Sequence, residues 1–330
     1  MRRREFITAL GGVAAAWPLA ASAQQTMHVR HVGVFMAYAE NDPEARDYVE
    51  AFNNGMKELR WTEGRDIRID FHWATGDVNR MRSLAKQLVE QKPDVIVSNT
   101  TPVTATLLRE TRTIPVVFVI VSDPVGSGFV AGLSHPGGNA TGFINVEASM
   151  ATKWLELVKE TAPSVTRVAL LFNPTTAPYF QYYQKPFEAA ARSISVEPLP
   201  SPVRDLFEIE TVMAMLTREP KGGLVIMTDS FMLINREPIV SLVDRYGLTA
   251  VYASRSFATS GGLIAYGPNN RDLFRRAAGY VDRILKGEKP TELPVQVPTK
   301  FELFVNLKTA KSQHIIIPQS ILIRADEVIE

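Results

Sequence analysis

The sequence contains no cysteine, and its charges almost balance, with 36 lysines and arginines against 35 aspartates and glutamates. Without cysteine the protein forms neither disulfides nor thiolate metal sites, and it has no cysteine nucleophile. Balanced charge gives no electrostatic footprint for nucleic acid or for an anionic membrane. Beyond the N-terminal segment, no apolar run approaches the roughly 18 residues of a membrane-spanning helix. We therefore expect no nucleic-acid partner and no direct insertion into a membrane.

Catalytic and metal-binding motifs are also missing. The segment Gly132-Leu133-Ser134-His135-Pro136 fails the G-x-S-x-G pattern at its last position, and the chain has no Walker loop. The five histidines form no i, i+4 pair, which argues against a zinc site. No spacing of the carboxylates singles out an acid–base pair. We expect no catalytic residue, no metal, no cofactor and no enzymatic activity.

The N-terminal segment is typical of an export signal. Three arginines, Arg2 to Arg4, precede an apolar run from Phe6 to Ala16, and Ala21-Ser22-Ala23 has the form of a signal-peptidase site. Arg3-Arg4-Glu5-Phe6-Ile7 also resembles the twin-arginine signal. The pattern predicts cleavage after Ala23 and a periplasmic location. A buried or amphipathic N-terminal helix is the alternative.

The rest of the chain alternates short apolar strands with amphipathic helices, and this plan occurs twice. Predicted strands lie at residues 31–36, 66–71, 93–98, 114–120, 168–172, 195–196, 223–227 and 249–252. Predicted helices lie at residues 43–59, 78–90, 179–191, 206–216, 234–246 and 273–285, with one more beginning at Thr101. Such alternation is typical of parallel sheets. The predicted fold class is α/β, with two Rossmann-like lobes joined by a hinge that the chain crosses several times.

The points where the pattern restarts predict the domain boundaries. Residues 1–23 are the expected signal peptide, lobe 1 comprises residues 27–142 with about 267–300, and lobe 2 comprises residues 143–266 with about 301–330. The predicted crossings lie near Gly142, near Gly261-Gly262 in the segment 261–267, and within residues 290–298. In parallel α/β sheets, ligands bind at the carboxyl ends of the strands. Two such ends facing each other across a hinge predict a cleft that closes on a small molecule.

Residues just beyond the predicted strands are the candidates for ligand contact. They are Tyr38, Ser98, Asn99, Thr100, Thr101, Asp123, Asp229, Tyr252 and Phe257. Residues 98–101 precede a helix whose N-terminus favours an anion, so a carboxylate is expected there, in addition to helix capping by Thr101. Asp123 and Asp229 are candidates for binding an ammonium group; organising a turn and capping a helix are their alternative roles. The three aromatic residues could enclose an apolar ligand, and plain packing is the alternative for Tyr252 and Phe257.

Seven segments in order along the chain carry a family resemblance. They are Ser122-Asp123-Pro124-Val125-Gly126, His135-Pro136-Gly137-Gly138-Asn139-Ala140-Thr141-Gly142, Gly261-Gly262-Leu263-Ile264-Ala265-Tyr266-Gly267-Pro268, Ile284-Leu285-Lys286-Gly287-Glu288-Lys289-Pro290, Leu293-Pro294-Val295-Gln296, Asn306-Leu307-Lys308-Thr309-Ala310 and Arg324-Ala325-Asp326-Glu327-Val328-Ile329-Glu330. Together they resemble the ABC transporter substrate-binding family that includes tryptophan- and tyrosine-binding members. The resemblance implies the type I periplasmic-binding-protein fold and delivery of an unmodified ligand to a membrane permease. It also implies ligand contacts from the Tyr38 loop, residues 99–101, Asp123, Asp229 and the Tyr252 region.

The leading hypothesis is a monomeric periplasmic component of an ABC importer. It would capture a small carboxylate-bearing ligand, with aromatic or apolar amino acids as candidates, and deliver it to a permease in the inner membrane. A periplasmic module that reports its ligand state to a membrane receptor is one alternative. An exported α/β enzyme is the other, although no general base or nucleophile stands out.

Overall fold

The computed structural model describes residues 29–218 and 222–330, so the predicted signal peptide at residues 1–23 lies outside the described residues. The first lobe begins with five strands: β1 (Arg30–Met36), β2 (Ile67–Trp73), β3 (Val95–Asn99), β4 (Val116–Val121) and β5 (Ala140–Ile144). Its first helices are α1 (Pro43–Glu58), α2 (Val78–Glu90) and α3 (Thr101–Glu110). The strands form one parallel sheet in the order β2-β1-β3-β4-β5. Both β3 and β4 are buried along their whole length, which explains their largely apolar sequences.

The second lobe repeats this plan. Its strands are β6 (Arg167–Phe172), β7 (Glu197–Pro202), β8 (Gly222–Ile226), β9 (Thr249–Tyr252) and β10 (Ile264–Pro268). Its helices are α4 (Met150–Thr161), α5 (Phe180–Ser193), α6 (Leu206–Arg218), α7 (Ser230–Ile234), α8 (Arg236–Tyr246) and α9 (Arg255–Thr259). The strand predicted at residues 195–196 begins instead at Glu197. There the chain enters an edge strand rich in proline, which lacks the apolar run that marks the central strands.

Beyond β10 the chain visits the first lobe once more and then returns. Helix α10 (Asn270–Leu285) packs along α1 and against β3 and β4. A 3-10 turn at Pro290–Glu292 follows, and Gln296 then pairs beside β5 through bonds with Gly142 and Ile144. The last elements are β11 (Phe301–Asn306), α11 (Leu307–Ser312), α12 (Gln319–Arg324) and β12 (Glu327–Ile329). They complete a seven-stranded sheet in the order β12-β11-β10-β9-β8-β6-β7, in which β10 and β11 are antiparallel. The α/β fold with two parallel-dominated sheets is confirmed.

Three crossings connect the two sheets. They follow Ile144, lie between Pro268 and Asn270, and lie between Gln296 and Phe301. The crossing predicted near Gly261-Gly262 lies a few residues later in the chain, because both glycines lie in the turn between α9 and β10 of the same lobe. A Cβ on Gly262 would come within 2.7 Å of the Tyr252 ring, so this glycine is needed for packing.

Gly142 lies in β5, immediately before the first crossing. Its φ is +148°, and a Cβ there would lie 2.0 Å from the carbonyl oxygen of Phe118 on β4. Only glycine allows β5 to lie this close to β4 with that backbone conformation.

Within the described residues, no helix is long and apolar enough to cross a membrane.

Candidate functional site

The loops that follow the strands of the two sheets meet across a cleft between the lobes. On one side, Asn145 donates from Nδ2 to Thr228 Oγ1 over 2.8 Å, where the chain has just left β5 and β8 respectively. On the other side, Arg236 at the start of α8 pairs with Asp42, which precedes α1, over 2.9 Å. Side chains from both lobes therefore hold the two strand-end edges together.

Two cavities open between the lobes. The first has a volume of about 700 Å³, and its lining includes Glu44, Tyr48, Arg236, Ser254, Ser256 and Asn270. The second has a volume of about 560 Å³, and its lining includes Thr101, Pro102, Asp123, Thr175, Tyr179 and Tyr182. Each cavity is bounded by residues of both lobes, so its shape depends on how the lobes are arranged.

Residues 98–101 lie at the end of β3, as expected, and they are buried. The hydrogen bonds of their side chains differ from the predicted ones. Ser98 Oγ lies 2.8 Å from Thr104 Oγ1, so this hydroxyl is used within the lobe. Thr101 Oγ1 accepts a hydrogen bond from the backbone N–H of Ser122 over 3.0 Å and thus ties β3 to β4. The prediction that Thr101 caps α3 is wrong, because the cap position belongs to Thr100 and no side chain caps this helix.

Thr100 has an unusual backbone conformation, with φ at +73° and ψ at 158°. A threonine in this region is strained, and such strain is often found at binding sites. The Oγ1 of Thr100 and the Nδ2 of the neighbouring Asn99 are both buried without a hydrogen-bond partner in the described structure. Asn99 Oδ1 accepts from the backbone N–H of Ala37, which fixes the amide beside the loop that follows β1. The turn from β3 to α3 thus presents unused donors next to a helix N-terminus, an arrangement suited to an anion.

Tyr38 belongs to the same part of the cleft. Its side chain is only 1% exposed, and its ring lies 6.1 Å from that of Tyr48 in an edge-on contact. The hydroxyl of Tyr38 has no partner within the described residues, nor does Ser230 Oγ, at the start of α7 in the opposite lobe. Ile234, at the end of α7, in turn lies against Gly76 beyond β2. Unused polar atoms therefore occur on both sides of the cleft.

The two predicted aspartates take their alternative roles. Asp123 Oδ1 accepts from the backbone N–H of Gly126 over 2.8 Å, which organises the turn that follows β4. Asp229 is 1% exposed and accepts from the backbone N–H of Asn173 over 2.6 Å, from that of Phe231 over 2.8 Å, and from Thr176 Oγ1. Burial raises the pKa of Asp229 to about 6, although these hydrogen bonds oppose the shift. The expectation that Asp229 is free to meet an ammonium group is corrected, because both of its oxygens accept hydrogen bonds within its own lobe. Asp123 lines the second cavity, and its binding of an ammonium group stays a prediction.

Tyr252 and Phe257 also take their alternative role. Their rings stack with centroids 4.7 Å apart, and both residues are at most 1% exposed. They share a core cluster with Ile226 and Val240, on the face of the second sheet covered by α6, α8 and α9. The structure thus places them in the core of lobe 2, and the expectation that they enclose a ligand is corrected.

Glu44, Arg236 and Asn270 were not among the predicted residues. Glu44 Oε1 accepts from the hydroxyl of Tyr48 over 2.5 Å and from Ser254 Oγ of the other lobe over 3.2 Å. Burial raises the pKa of Glu44, while the bond from Tyr48 and the charge of Arg236 oppose that rise.

The sequence signals for these residues are weak. An acidic residue in the first turn of a helix, such as Glu44, is explained by the helix dipole alone. Arg236 is more informative, because it is the first residue of α8, where a positive charge opposes the dipole.

Residues 29–218 and 222–330 contain no group of histidine, aspartate and glutamate side chains that could hold a metal ion.

Comparisons with known proteins agree with this architecture. Residues 35–329 match the family model for ABC transporter substrate binding proteins. A curated tyrosine-binding protein from Clostridioides difficile (strain R20291) is 26% identical over 267 residues, which cover 80% of this chain and 75% of that protein. A Streptococcus pneumoniae structure, described as an ABC domain in complex with L-Trp, is 24% identical with a TM-score of 0.84, and the match covers 91% of this chain and 100% of that one.

A second solved structure has a similar degree of likeness. A conserved domain protein from Vibrio cholerae is 25% identical with a TM-score of 0.84, covering 91% of this chain and 99% of that one. The two-lobed fold, the interlobe cleft and the match over nearly the whole described chain lead to one conclusion. The chain belongs to the family of ABC transporter substrate-binding proteins.

Proposed function

We propose that this protein captures an amino acid with an aromatic or apolar side chain in the interlobe cleft and delivers it to the permease of an ABC importer. The ligand carboxylate is held at the turn from β3 to α3. The observation that carries this proposal is the pair of buried donors there, Asn99 Nδ2 and Thr100 Oγ1, which have no partner in the described structure. Buried polar atoms are normally satisfied, so this pair indicates a missing acceptor.

The N-terminus of α3 adds to the attraction for a carboxylate. The first backbone N–H groups of a helix have no partner within the helix, and its dipole favours negative charge. Because Pro102 lies in the first turn, one of these positions has no N–H and the anion depends more on Thr100 and Asn99. A protein with balanced charge can hold a carboxylate in this way without a lysine or arginine in direct contact.

The body of the ligand lies against aromatic side chains at the cleft. Tyr179 and Tyr182 line the second cavity from the opposite lobe, across from Thr101 and Pro102. Aromatic rings offer apolar surface together with a polar hydroxyl, which suits an indole or phenol side chain. The tyrosine- and tryptophan-binding relatives support this choice of ligand.

Calorimetric titration with L-tryptophan, L-tyrosine and D-glucose tests the proposal. We expect binding of at least one amino acid and none of the sugar. Thr100→Val should weaken amino-acid binding by about tenfold or more, since a hydrogen bond to a charged group contributes about 1.5–3 kcal/mol. Thr161→Val is the matched control, because that buried threonine bonds only the Leu157 carbonyl in α4. Binding of glucose but not of amino acids would contradict the function, and unchanged affinity of Thr100→Val would contradict the carboxylate position.

We further propose that the protein works in the periplasm after removal of residues 1–23. The basic and apolar N-terminal segment supports export, and the family of substrate-binding proteins acts outside the cytoplasmic membrane. N-terminal sequencing of the exported protein should begin at Gln24. Replacing Arg3 and Arg4 together by lysine should block export through the twin-arginine route, whereas normal export of that variant would indicate the general route.

A further inference from the structure

A groove on the flank of lobe 1 lies outside the interlobe cleft. It runs between α1 and the edge strand β2, and its volume of about 830 Å³ exceeds that of either interlobe cavity. All of its ten lining residues belong to lobe 1, and none of them lines an interlobe cavity. Pockets of about 300–1,000 Å³ hold small organic ligands. The groove is therefore large enough for a ligand of its own.

The floor of the groove is aromatic. Phe71 and Trp73 lie two residues apart on β2, so their side chains are on the same face of the sheet. Both residues are half-buried, and their ring planes are within 15° of parallel with centroids 6.0 Å apart. Strand β2 pairs with β1 along its whole length, and Arg80 Nε donates to the Trp73 carbonyl over 2.8 Å. The floor is thus a firmly held apolar surface that is partly exposed before any ligand arrives.

The walls carry amide side chains that the protein does not use. Asn41 precedes α1, while Asn53 and Asn54 lie on that helix. The three side chains form no hydrogen bond within the described residues, and Asn53 Oδ1 is buried without a partner. Each amide offers two donors and an acceptor. Since buried polar atoms are normally satisfied, free amides beside an aromatic floor indicate a ligand with several polar groups.

The charges around the groove cancel. Glu40 and Glu50 oppose Arg46 and Lys57, so the groove has no net attraction for an acidic or a basic partner. An acyl chain or an apolar helix would cover the aromatic rings. It would also bury the charges and the amides without partners, which is unfavourable. The occupant must therefore combine an apolar face with neutral polar groups around its edge.

Addition of a peptide strand to β2 is disfavoured by the hydrogen bonds already made at its open edge. The backbone N–H of Ile69 donates to Glu63 Oε1 over 3.2 Å, and the Trp73 carbonyl accepts from Arg80. A peptide that pairs with a sheet edge needs such backbone groups to be free. The edge of β2 is thus partly closed by side chains of lobe 1 itself.

We propose that this groove binds a short saccharide. The C–H face of a pyranose ring is apolar and covers Phe71 or Trp73, while the hydroxyls around the ring bond the three asparagines. A hydroxyl both donates and accepts, so it can pair with either end of an amide such as that of Asn53. The inference goes beyond amino-acid capture, because the groove belongs to lobe 1 alone and does not depend on closure of the cleft.

The indole N–H signals in an NMR titration test the assignment. Trp73 reports on the groove, whereas Trp61 donates to Asp282, Trp154 donates to the Tyr266 carbonyl, and neither lines the groove. The probes are maltose, cellobiose and N,N′-diacetylchitobiose. We expect at least one of them to move the Trp73 signal in a saturable way and to leave the signals of Trp61 and Trp154 in place. Saturating L-tyrosine should not change the affinity for that saccharide.

Variants of the groove, measured by calorimetry, identify its contacts. Trp73→Leu keeps an apolar side chain but removes the aromatic face, and it should weaken saccharide binding by about tenfold or more. Asn53→Leu breaks no internal hydrogen bond and should weaken binding by about threefold to tenfold. Gln87→Leu is the matched control, because Gln87 is an exposed amide on α2 outside the groove. All three variants should bind L-tyrosine as wild type does.

The remaining outcomes separate this inference from its alternatives. A Trp73 signal that none of the three saccharides moves would overturn the proposal, as would wild-type saccharide affinity in both Trp73→Leu and Asn53→Leu. A Trp73 shift caused by L-tyrosine alone would assign the groove to the amino acid instead. Self-association that Trp73→Leu abolishes, without saccharide binding, would make the groove a contact between copies of the chain. Saccharide binding without amino-acid binding would contradict the proposed function alone.

Discussion

Individual polar atoms in the cleft differ in whether the protein itself satisfies them. Asp229 is nearly inaccessible, yet both of its oxygens accept hydrogen bonds from its own lobe. Those bonds hold the loop after β6, through Asn173 and Thr176, to the start of α7. Asp229 is therefore a positioning residue for the lobe-2 side of the cleft. Asn99 Nδ2 and Thr100 Oγ1, in contrast, have no hydrogen-bond partner in the described structure, so these two residues are better placed to contact a ligand.

The burial of Asp229 predicts a pH dependence of stability. Its pKa is raised to about 6 in the folded protein, and an unfolded aspartate titrates near 3.9. Between these values the folded state holds a proton that the unfolded state has lost. This group therefore lowers the free energy of unfolding as pH rises from about 4 to about 6, by about 3 kcal/mol in all. Above pH 6 its contribution is constant.

Chemical denaturation of wild type and Asp229→Asn at several pH values measures this contribution. We expect the stability of wild type to fall more steeply with pH than that of the variant between pH 4 and 6. Asp205→Asn is the control, since Asp205 also accepts a backbone bond at the start of a helix but lies at the surface. Parallel pH profiles for wild type and Asp229→Asn would contradict the raised pKa.

The sequence predicted the donors of the cleft better than its aromatic residues. Residues 98–101 lie where expected because the carboxyl end of a central parallel strand is unambiguous once the strand is recognised. Tyr252 ends a strand of four residues, and strand alternation turns its ring towards the helices on one face of the sheet. A prediction that a strand ends and a loop begins does not show on which face of the sheet the last side chain of the strand lies. Glu44 was missed for a related reason, because only the tertiary structure brings Ser254 and Asn270 beside it.

At the scale of the element, α1 differs from other helices in what its N-cap does. Asp42 accepts from the backbone N–H groups of Glu44 and Ala45, as Asp77 accepts from Asn79 and Arg80 at the start of α2. Of these two N-cap residues, Asp42 also pairs with an arginine of the other lobe. One side chain therefore begins a helix and joins the lobes.

Comparing Asp42→Ala with Asp77→Ala separates these two roles. Each substitution removes an N-cap and should cost about 1 kcal/mol of stability in chemical denaturation. Asp42→Ala additionally leaves Arg236, which is largely buried, without its partner. We expect it to weaken calorimetric binding of L-tyrosine by about tenfold or more, while Asp77→Ala leaves the affinity unchanged. Equal affinities of the two variants would show that the Asp42 contact does not support the closed arrangement.

The elements that the sequence predicted well are the long amphipathic helices and the central strands. Helix α2 has the predicted bounds of residues 78–90, because an aspartate cap and a regular apolar face define it. Strands β5, β10, β11 and β12 and helix α4 were not predicted. Each of these strands is defined by its pairing with a strand elsewhere in the chain. Long-range pairing of this kind leaves no local periodic signal beyond a few apolar residues.

At the scale of the whole molecule, the repeated alternation was sufficient to predict two α/β lobes. The family suggested by the seven motifs is confirmed by the match over residues 35–329, and with it the expectation that the protein is not an enzyme. The motifs belong largely to the hinge, the turns and the C-terminal elements. They therefore identify the family with more certainty than the ligand, whose contacts come from side chains at the strand ends.

The interlobe contacts predict that closure depends on Arg236. This guanidinium donates to Asp42 of lobe 1 and also to the Leu233 carbonyl of its own lobe, so opening the cleft breaks only the first bond. Arg236→Met keeps the length of the side chain and removes the charge. It should shift the ligand-free protein towards an open arrangement, because the closed state loses its ion pair and leaves Asp42 uncompensated.

Small-angle X-ray scattering measures this shift as a change in the radius of gyration, which is about 20 Å for a compact chain of this length. We expect ligand-free Arg236→Met to have a larger radius than wild type, and saturating L-tyrosine to return both proteins to the same smaller value. Arg245→Met is the matched control, because Arg245 lies on the same helix and its pairing with Glu210 stays within lobe 2 at the surface. The variant should populate the closed state less than wild type does in the absence of ligand. A ligand that binds only the closed state then has a weaker apparent affinity, so the variant should need more L-tyrosine to complete half of the decrease in radius. A radius of Arg236→Met equal to that of wild type, with and without L-tyrosine, would mean that the hinge and the ligand, rather than this ion pair, set the closed arrangement.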